Sequence, residues 1–274
     1  MSSRLNGALW LGGGLTALVV LTAALSLVWT PHVPAEIDIS ARFRGVSAAH
    51  WLGTDQYGRD ILSLLMEGAR TSMTVAVISV GAGAAGGVVL GLLASARGGW
   101  TDETIMRLSD FIIAFPALLL AIMLGAVFGP SLGVAVLAIV SINLPVFARV
   151  TRASANSVWR RDYVTAARAA GRNRLQITLD HILPNISADI VVQATIQFAI
   201  AILAEAALSY IGLGTQPPTA SWGRMLSEAQ TLIYLAPQLA IYPGLCIVIA
   251  VLGFNLLGDG LRDRFDPRLA RARA

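Results

Sequence analysis

Few side chains in this sequence that could do chemistry are placed to do it together. The 274 residues include three histidines, His32, His50 and His181, and a single cysteine, Cys246. There are 16 acids, yet only Glu205 falls deep inside an uncharged apolar run. All 20 basic residues are Arg, and Lys is missing altogether. A Walker-A phosphate loop reads G-x-x-x-x-G-K-[ST], with its Lys reaching the β/γ-phosphates, so that motif cannot exist here. Lysine Schiff-base catalysis is excluded with it. One cysteine offers neither an intrachain disulfide nor a metal framework. No H-E-x-x-H occurs, and no apolar run holds a histidine or a second acid. That inventory leaves an intramembrane hydrolase without a Ser–His pair or a carboxylate dyad. The expectation is no catalytic residue and no metal site, with any ATP bound by another chain.

The remaining polar residues in apolar runs invite two kinds of reading. Glu205 is a functional candidate because ionisable groups inside membranes are costly, and it suits a structural partner near the outer end of its helix equally well. Gln193 and Gln197 stand at i and i+4 and share a helix face. They either line a pathway or hydrogen-bond neighbouring helices. Asn143 with Pro145 predicts a kink. Gly83, Gly87 and Gly91 make two small-xxx-small steps, a pattern for close helix packing within the chain. Asp55, Arg59 and Asp60 read as an ion-pair group on an exposed segment, where such pairs contribute about 0–1 kcal/mol.

Elements that must hold these residues follow from composition. The chain is 55% hydrophobic and 13% charged, with a mean hydropathy of +0.68. An ordinary globular domain is about 25% charged. Spanning helices need about 20 apolar residues. Ala8–Trp29, Met73–Ala96, Ile190–Gly214 and Thr231–Gly258 meet that need, the last starting its membrane portion near Pro237. Phe111–Ala148 reads as two helices joined at Gly129-Pro130-Ser131. The first run is longer than a signal-peptide core of about 7–15 residues, so it reads as a spanning helix. Continuous apolar runs exclude barrel strands, which alternate. The reading is an all-α polytopic membrane protein with six transmembrane helices. Fifteen of the 20 Arg fall on segments that share a side if the N-terminus is inside. The positive-inside rule then places both termini in the cytoplasm. The domain reading is 1–72 for the first helix and an extracytoplasmic segment, 73–258 for the membrane core, and 259–274 for a cytoplasmic tail. A net charge of +4 interleaved with acids is no nucleic-acid footprint.

The longest inner connection, 149–185, has a pattern of its own. Val164–Ala170 is Ala-rich and predicts a helix. Gly171 predicts a left-handed stop. Leu175–Leu183 is loosely helical and predicted to end at Pro184. Thr165-Ala166-Ala167, three residues, Gly171, nine residues and His181-Ile182-Leu183-Pro184 resemble the EAA motif of bacterial ABC importer permeases, with Thr165 in place of the motif's Glu and His181 in place of its Ile. His50-Trp-Leu-Gly-Thr-Asp-Gln-Tyr-Gly-Arg-Asp-Ile-Leu-Ser63, Gly68-Ala-Arg-Thr-Ser72, Ala204-Glu-Ala-Ala-Leu-Ser-Tyr-Ile-Gly-Leu-Gly214 and Asn255-Leu-Leu-Gly-Asp-Gly-Leu-Arg-Asp263 are similar to segments of the C-type permease in dipeptide, oligopeptide and nickel importers.

That resemblance implies the type I ABC importer permease fold in a bacterial inner membrane. It implies a second homologous permease, one or two ABC ATPases that bind ATP and Mg, and an extracytoplasmic substrate-binding lipoprotein. The implied cargo is a di- or oligopeptide, with nickel chelates or another small peptide-like solute behind it. Thr165, Ala166, Ala167, Gly171, His181, Leu183 and Pro184 are implied to form the loop that couples to the ATPase. An ion-coupled carrier is the rival reading, but carriers usually place acids, His or broken helices at mid-membrane.

Overall fold

The computed structural model describes residues 2–265; the tail from Asp266, including Arg268, Arg271 and Arg273, lies outside the described residues. Helices α1 (Ser2–Leu25), α2 (Ile61–Arg97), α3 (Gly99–Ala114), α4 (Ala117–Phe128) and α5 (Leu132–Trp159) come first. They are followed by α6 (Asp162–Ala169), α7 (Arg174–Ile177), α8 (Leu183–Tyr210), α9 (Trp222–Ala229) and α10 (Gln238–Phe265). Among the described residues no strand occurs, as the non-alternating apolar runs led one to expect. Five helices are long and apolar enough to cross a membrane, and six crossings result if α3 and α4 together form one.

Three element boundaries differ from expectation. α2 begins at Ile61 rather than near Met73, so the expected boundary at 72/73 falls inside a helix. Asp60 starts it by accepting a hydrogen bond from the Ser63 N–H, satisfying an end of the helix that would otherwise lack a partner. At 37 residues α2 is about 55 Å long, well beyond a hydrocarbon core of about 30 Å. The third crossing is broken rather than straight. α3 and α4 meet at Phe115-Pro116 with a bend of 84°. Pro116 disfavours helical backbone in the residue before it, and Phe115 is extended at ψ 127°. α4 alone, 12 residues and about 18 Å, is too short to cross. Finally, Pro184 does not end a helix. α7 passes into a π turn at Thr178–Ile182 and then into α8, giving one continuous rod from Arg174 to Tyr210. Pro184 sits in the first turn of α8, where a missing N–H is tolerated.

The core lies where α2, α5, α8 and α10 meet, with Val75, Ala76, Phe147, Ile202 and Ala250 fully enclosed. α1 packs along α10, where Gly12, Gly253 and Gly260 admit the partner backbone. The π-turn end of the rod has a smaller core of its own, Leu92, Ala155, Val158, Val164, Ile177, Ile182 and Ile186. The segment before α2 and the α6–α7 projection thus sit at opposite ends of α2, and hence on opposite faces of a membrane.

Candidate functional site

The projection is built from α6, a glycine turn and α7. α6 seats Val164 in the smaller core and leaves Thr165 and Ala166 exposed. Ala167 packs at the edge of that core. Gly171 holds φ +82°, and the Gly171 and Arg172 N–H groups donate to the Arg168 and Ala167 carbonyls. This is the left-handed helix stop expected there. α7 opens with a capping box in which Asn173 and Gln176 satisfy each other's backbone N–H groups. Arg174 reaches across to donate to the Ala96 carbonyl at 2.9 Å, which caps the end of α2. Arg172 pairs with Asp180, and Arg168 lies over the Trp159 ring at 5.0 Å. The arginines of this region therefore fix the projection to its own neighbours.

Its outward surface mixes polar side chains, among them Thr165, Arg172, Asn173 and Gln176, with apolar ones. Tyr163, Leu175 and Leu179 are exposed, the last two by more than half. His181 is half-buried and meets the Tyr163 ring edge-on at 6.1 Å. Leu183 packs at the edge of the smaller core, and Pro184 is exposed. The projection is thus a block anchored to α2 and α5, with Tyr163, Leu175 and Leu179 left on its surface.

Inside the bundle, Glu205 is fully enclosed and accepts hydrogen bonds from three hydroxyls: Ser72 at 2.6 Å, Ser209 at 2.7 Å and Thr215 at 3.4 Å. Ser209 also accepts from the Thr215 N–H. The carboxylate thereby ties α8 to α2 and to the turn after Tyr210. Gly83, Gly87 and Gly91 lie against α5. A Cβ there would stand 2.5 Å from Asn143 Cβ, 2.6 Å from Phe147 Cβ and 2.5 Å from the Ala148 carbonyl, so α2 meets α5 within the chain. Asn143 is buried in that contact, its amide nitrogen without a partner. Gln193 and Gln197 part company despite their spacing. Gln193 borders a cleft of about 520 Å³ with Ser154, Asp189 and Arg262, whereas Gln197 is buried in the bundle. Sequence reasoning missed this cleft, because its walls come from α5, α8 and the last turn of α10.

The expected ion-pair group is rearranged. Arg59 binds Asp55 at 2.6 Å, but its other arm reaches Glu228 on α9, also at 2.6 Å, and Arg224 holds the far oxygen of Glu228 at 2.8 Å. These groups are mostly buried rather than exposed. Asp60 takes no part; it faces His50. Burial opposes the charge on Arg59, but the two carboxylates outweigh it and hold its pKa above the ordinary guanidinium value.

The fold is thus a helical membrane bundle carrying an anchored α6–α7 projection at one end of α2. The family described as "Binding-protein-dependent transport system inner membrane component" matches residues 87–271. The chain is 44% identical over 250 residues to the dipeptide transport system permease protein DppC of Alkalihalophilus pseudofirmus, covering 91% of this chain and 82% of that one. It is 43% identical to the di/tripeptide transport system permease protein DppC of Pseudomonas aeruginosa, covering 96% and 89%. Against the glutathione transport system permease protein GsiD of Pectobacterium atrosepticum it is 41% identical, covering 93% and 86%. Among solved structures, a chain of the MetNI methionine ABC transporter in an inward facing conformation shares the fold, with a TM-score of 0.61 over 77% of this chain and 96% of that one at 20% identity. The chain belongs to the family of inner-membrane components of binding-protein-dependent transport systems, and is a permease subunit of an ABC importer.

Proposed function

We propose that this chain forms, with a second permease, the inner-membrane path for short peptides, and that it has no ATPase site of its own. ATP and Mg bind the partner ATPases, and an extracytoplasmic binding protein delivers the cargo. The peptide assignment leans on relatives named for dipeptides, di/tripeptides and glutathione. Both termini and the α6–α7 projection face the cytoplasm, in keeping with the Arg-rich 149–174 and 262–273 segments.

The single observation that carries the coupling role is the anchored block itself: Val164 and Ile177 lock it to α2 and α5, while Tyr163, Leu175 and Leu179 are left for an ATPase groove. A push on this block moves packed helices as a body, because a close-packed interface shifts between discrete seatings. Nothing lies within 4 Å of a Cβ built at Gly171, so a side chain there meets only the penalty of its positive φ. Gly171→Val is therefore expected to assemble with its partners yet to abolish ATP-driven uptake of a labelled dipeptide in proteoliposomes. Normal uptake by an assembled Gly171→Val complex would count against the coupling role. Uptake by this chain alone, driven by an ion gradient, would defeat the permease reading altogether.

A further inference from the structure

The three histidines were expected to lie apart from any metal chemistry. On the face of the membrane opposite α6, however, the fold gathers two of them around one acid. His32, just after α1, and His50, in the loop before α2, both turn their Nδ1 atoms toward Asp60. His50 Nδ1 lies 3.0 Å and His32 Nδ1 3.6 Å from the same oxygen, Asp60 Oδ1. One ligand atom from each residue falls within 4.8 Å of the other two. The two rings stack at 4.6 Å.

The surroundings hold these groups as donors. Asp60 is buried, and its second oxygen, Oδ2, is occupied by the Ser63 N–H at 2.8 Å and the Ser63 hydroxyl at 2.7 Å. Oδ1 is thereby the oxygen left to face the imidazoles. Ser63 Oγ also accepts from the His32 N–H at 3.0 Å, and the His50 N–H donates to Ser47 Oγ at 3.0 Å, so both histidine backbones are pinned. Supporting hydrogen bonds of this kind orient metal ligands and tune their basicity. His32 Nδ1 is buried and has no hydrogen-bond partner, a cost that a bound cation would remove. His32 is otherwise the most open of the three, its side chain 38% exposed, which leaves room for water as a further ligand.

We propose that His32, His50 and Asp60 form a binding site for a divalent transition-metal cation of the zinc class. Two imidazoles and one carboxylate suit such ions, and three protein ligands with an open position is a recurrent zinc arrangement. The ion takes the place of the proton between His50 Nδ1 and Asp60, the neutral ring then carrying its one proton on Nε2, and draws in the free Nδ1 of His32. It thereby clamps the chain leaving α1, and the loop at His50, onto the first turn of α2. The site is separate from the α6–α7 coupling block and does not depend on what cargo is carried.

The test uses the assembled transporter, purified through a tag without histidine, placed in nanodiscs and stripped with a chelator. Zn2+ is titrated calorimetrically and counted by elemental analysis against His32→Gln, His50→Gln, the double variant and His181→Gln. One Zn2+ per complex is expected to be lost in the double variant. Each single change at His32 or His50 should weaken that binding at least tenfold, and His181→Gln should leave it unchanged. His32 is partly exposed and its ring nitrogen bonds nothing, so His32→Gln tests the site without endangering the fold. Zinc affinity unchanged in His32→Gln, or equal zinc content in wild type and the double variant, overturns the proposal.

Discussion

At the scale of single residues, Glu205 shows how a buried acid in a membrane helix is used as a joint. Three hydroxyls converge on it, and among the described residues no basic side chain pairs with it. Glu205→Ala strands Ser72, Ser209 and Thr215 together in a closed space. We expect it to lower the stability of the purified complex by about 3 kcal/mol, as for buried groups left without partners. Glu205→Gln keeps the shape and one acceptor, so it should lose less than half of that in thermal unfolding. A Gln variant as unstable as the Ala variant would mean that charge, not hydrogen bonding, holds the joint. The position of Glu205 was readable because it interrupts an apolar run. Its partners were not, since Ser72 lies 133 residues away and a serine in a helix carries no periodic signal. The same limit hid Glu228 from Arg59, 169 residues apart. It also hid the two histidines from Asp60, whose meeting depends on a loop path and not on spacing.

At the scale of elements, the α2–α5 contact is set by three glycines, and their spacing was legible in the sequence. Periodicity of four on one helix face needs no knowledge of the partner. Gly87→Val drives a branched side chain into Phe147 Cβ at 2.6 Å and the Ala148 nitrogen at 2.9 Å. A cost of about 3 kcal/mol is expected, at the upper end for overpacking. Gly81 has nothing within 4 Å, so Gly81→Ala should change stability by less than about 1 kcal/mol. Thermal melts of the two variants in one detergent decide this; equal effects would show that α2 does not depend on close approach. Elsewhere the elements misled where proline was involved. Pro116 lies unmarked within a long apolar stretch, yet it bends the third crossing. Pro184 reads as a stop in the sequence, yet it lies in a helix first turn that accepts it. Proline limits its neighbours' backbone, but whether a helix breaks there depends on what the next turn can hydrogen-bond.

At the scale of the whole molecule, two arginines secure the two ends of the bundle by different means. Arg174 caps the end of α2 beside the α6–α7 projection. Arg59 joins the 30–60 segment to α9 through Asp55 and Glu228. Removing Arg59 leaves the buried Asp55 carboxylate without its partner, while Glu228 keeps Arg224. Arg59→Ala is expected to cost about 3 kcal/mol, as for one partner taken from a buried pair. Adding Asp55→Asn should recover part of the loss, because it removes the stranded charge. No recovery in the thermal melt would place the stabilisation outside the ion-pair network. The membrane setting was legible from the low charge content, and the all-helical class from apolar runs that do not alternate. Which helix touches which was not, because every face is apolar when the solvent is lipid.

The π turn at Thr178–Ile182 turns chain length into angular phase. A residue added to or taken from a helix rotates everything beyond it by about 100°. Deleting Ser187, in regular α-helix just beyond this turn, would set the α6–α7 projection out of phase with Glu205 and Gln193. Only one end of the rod could then keep its seat. The deletion is expected to abolish uptake even if the protein still accumulates, and a fully active, fully stable deletion would show that the two ends are not geared together. What looks in the sequence like a connecting loop, where insertions are usually tolerated, is a counted interval that must stay in step to the residue.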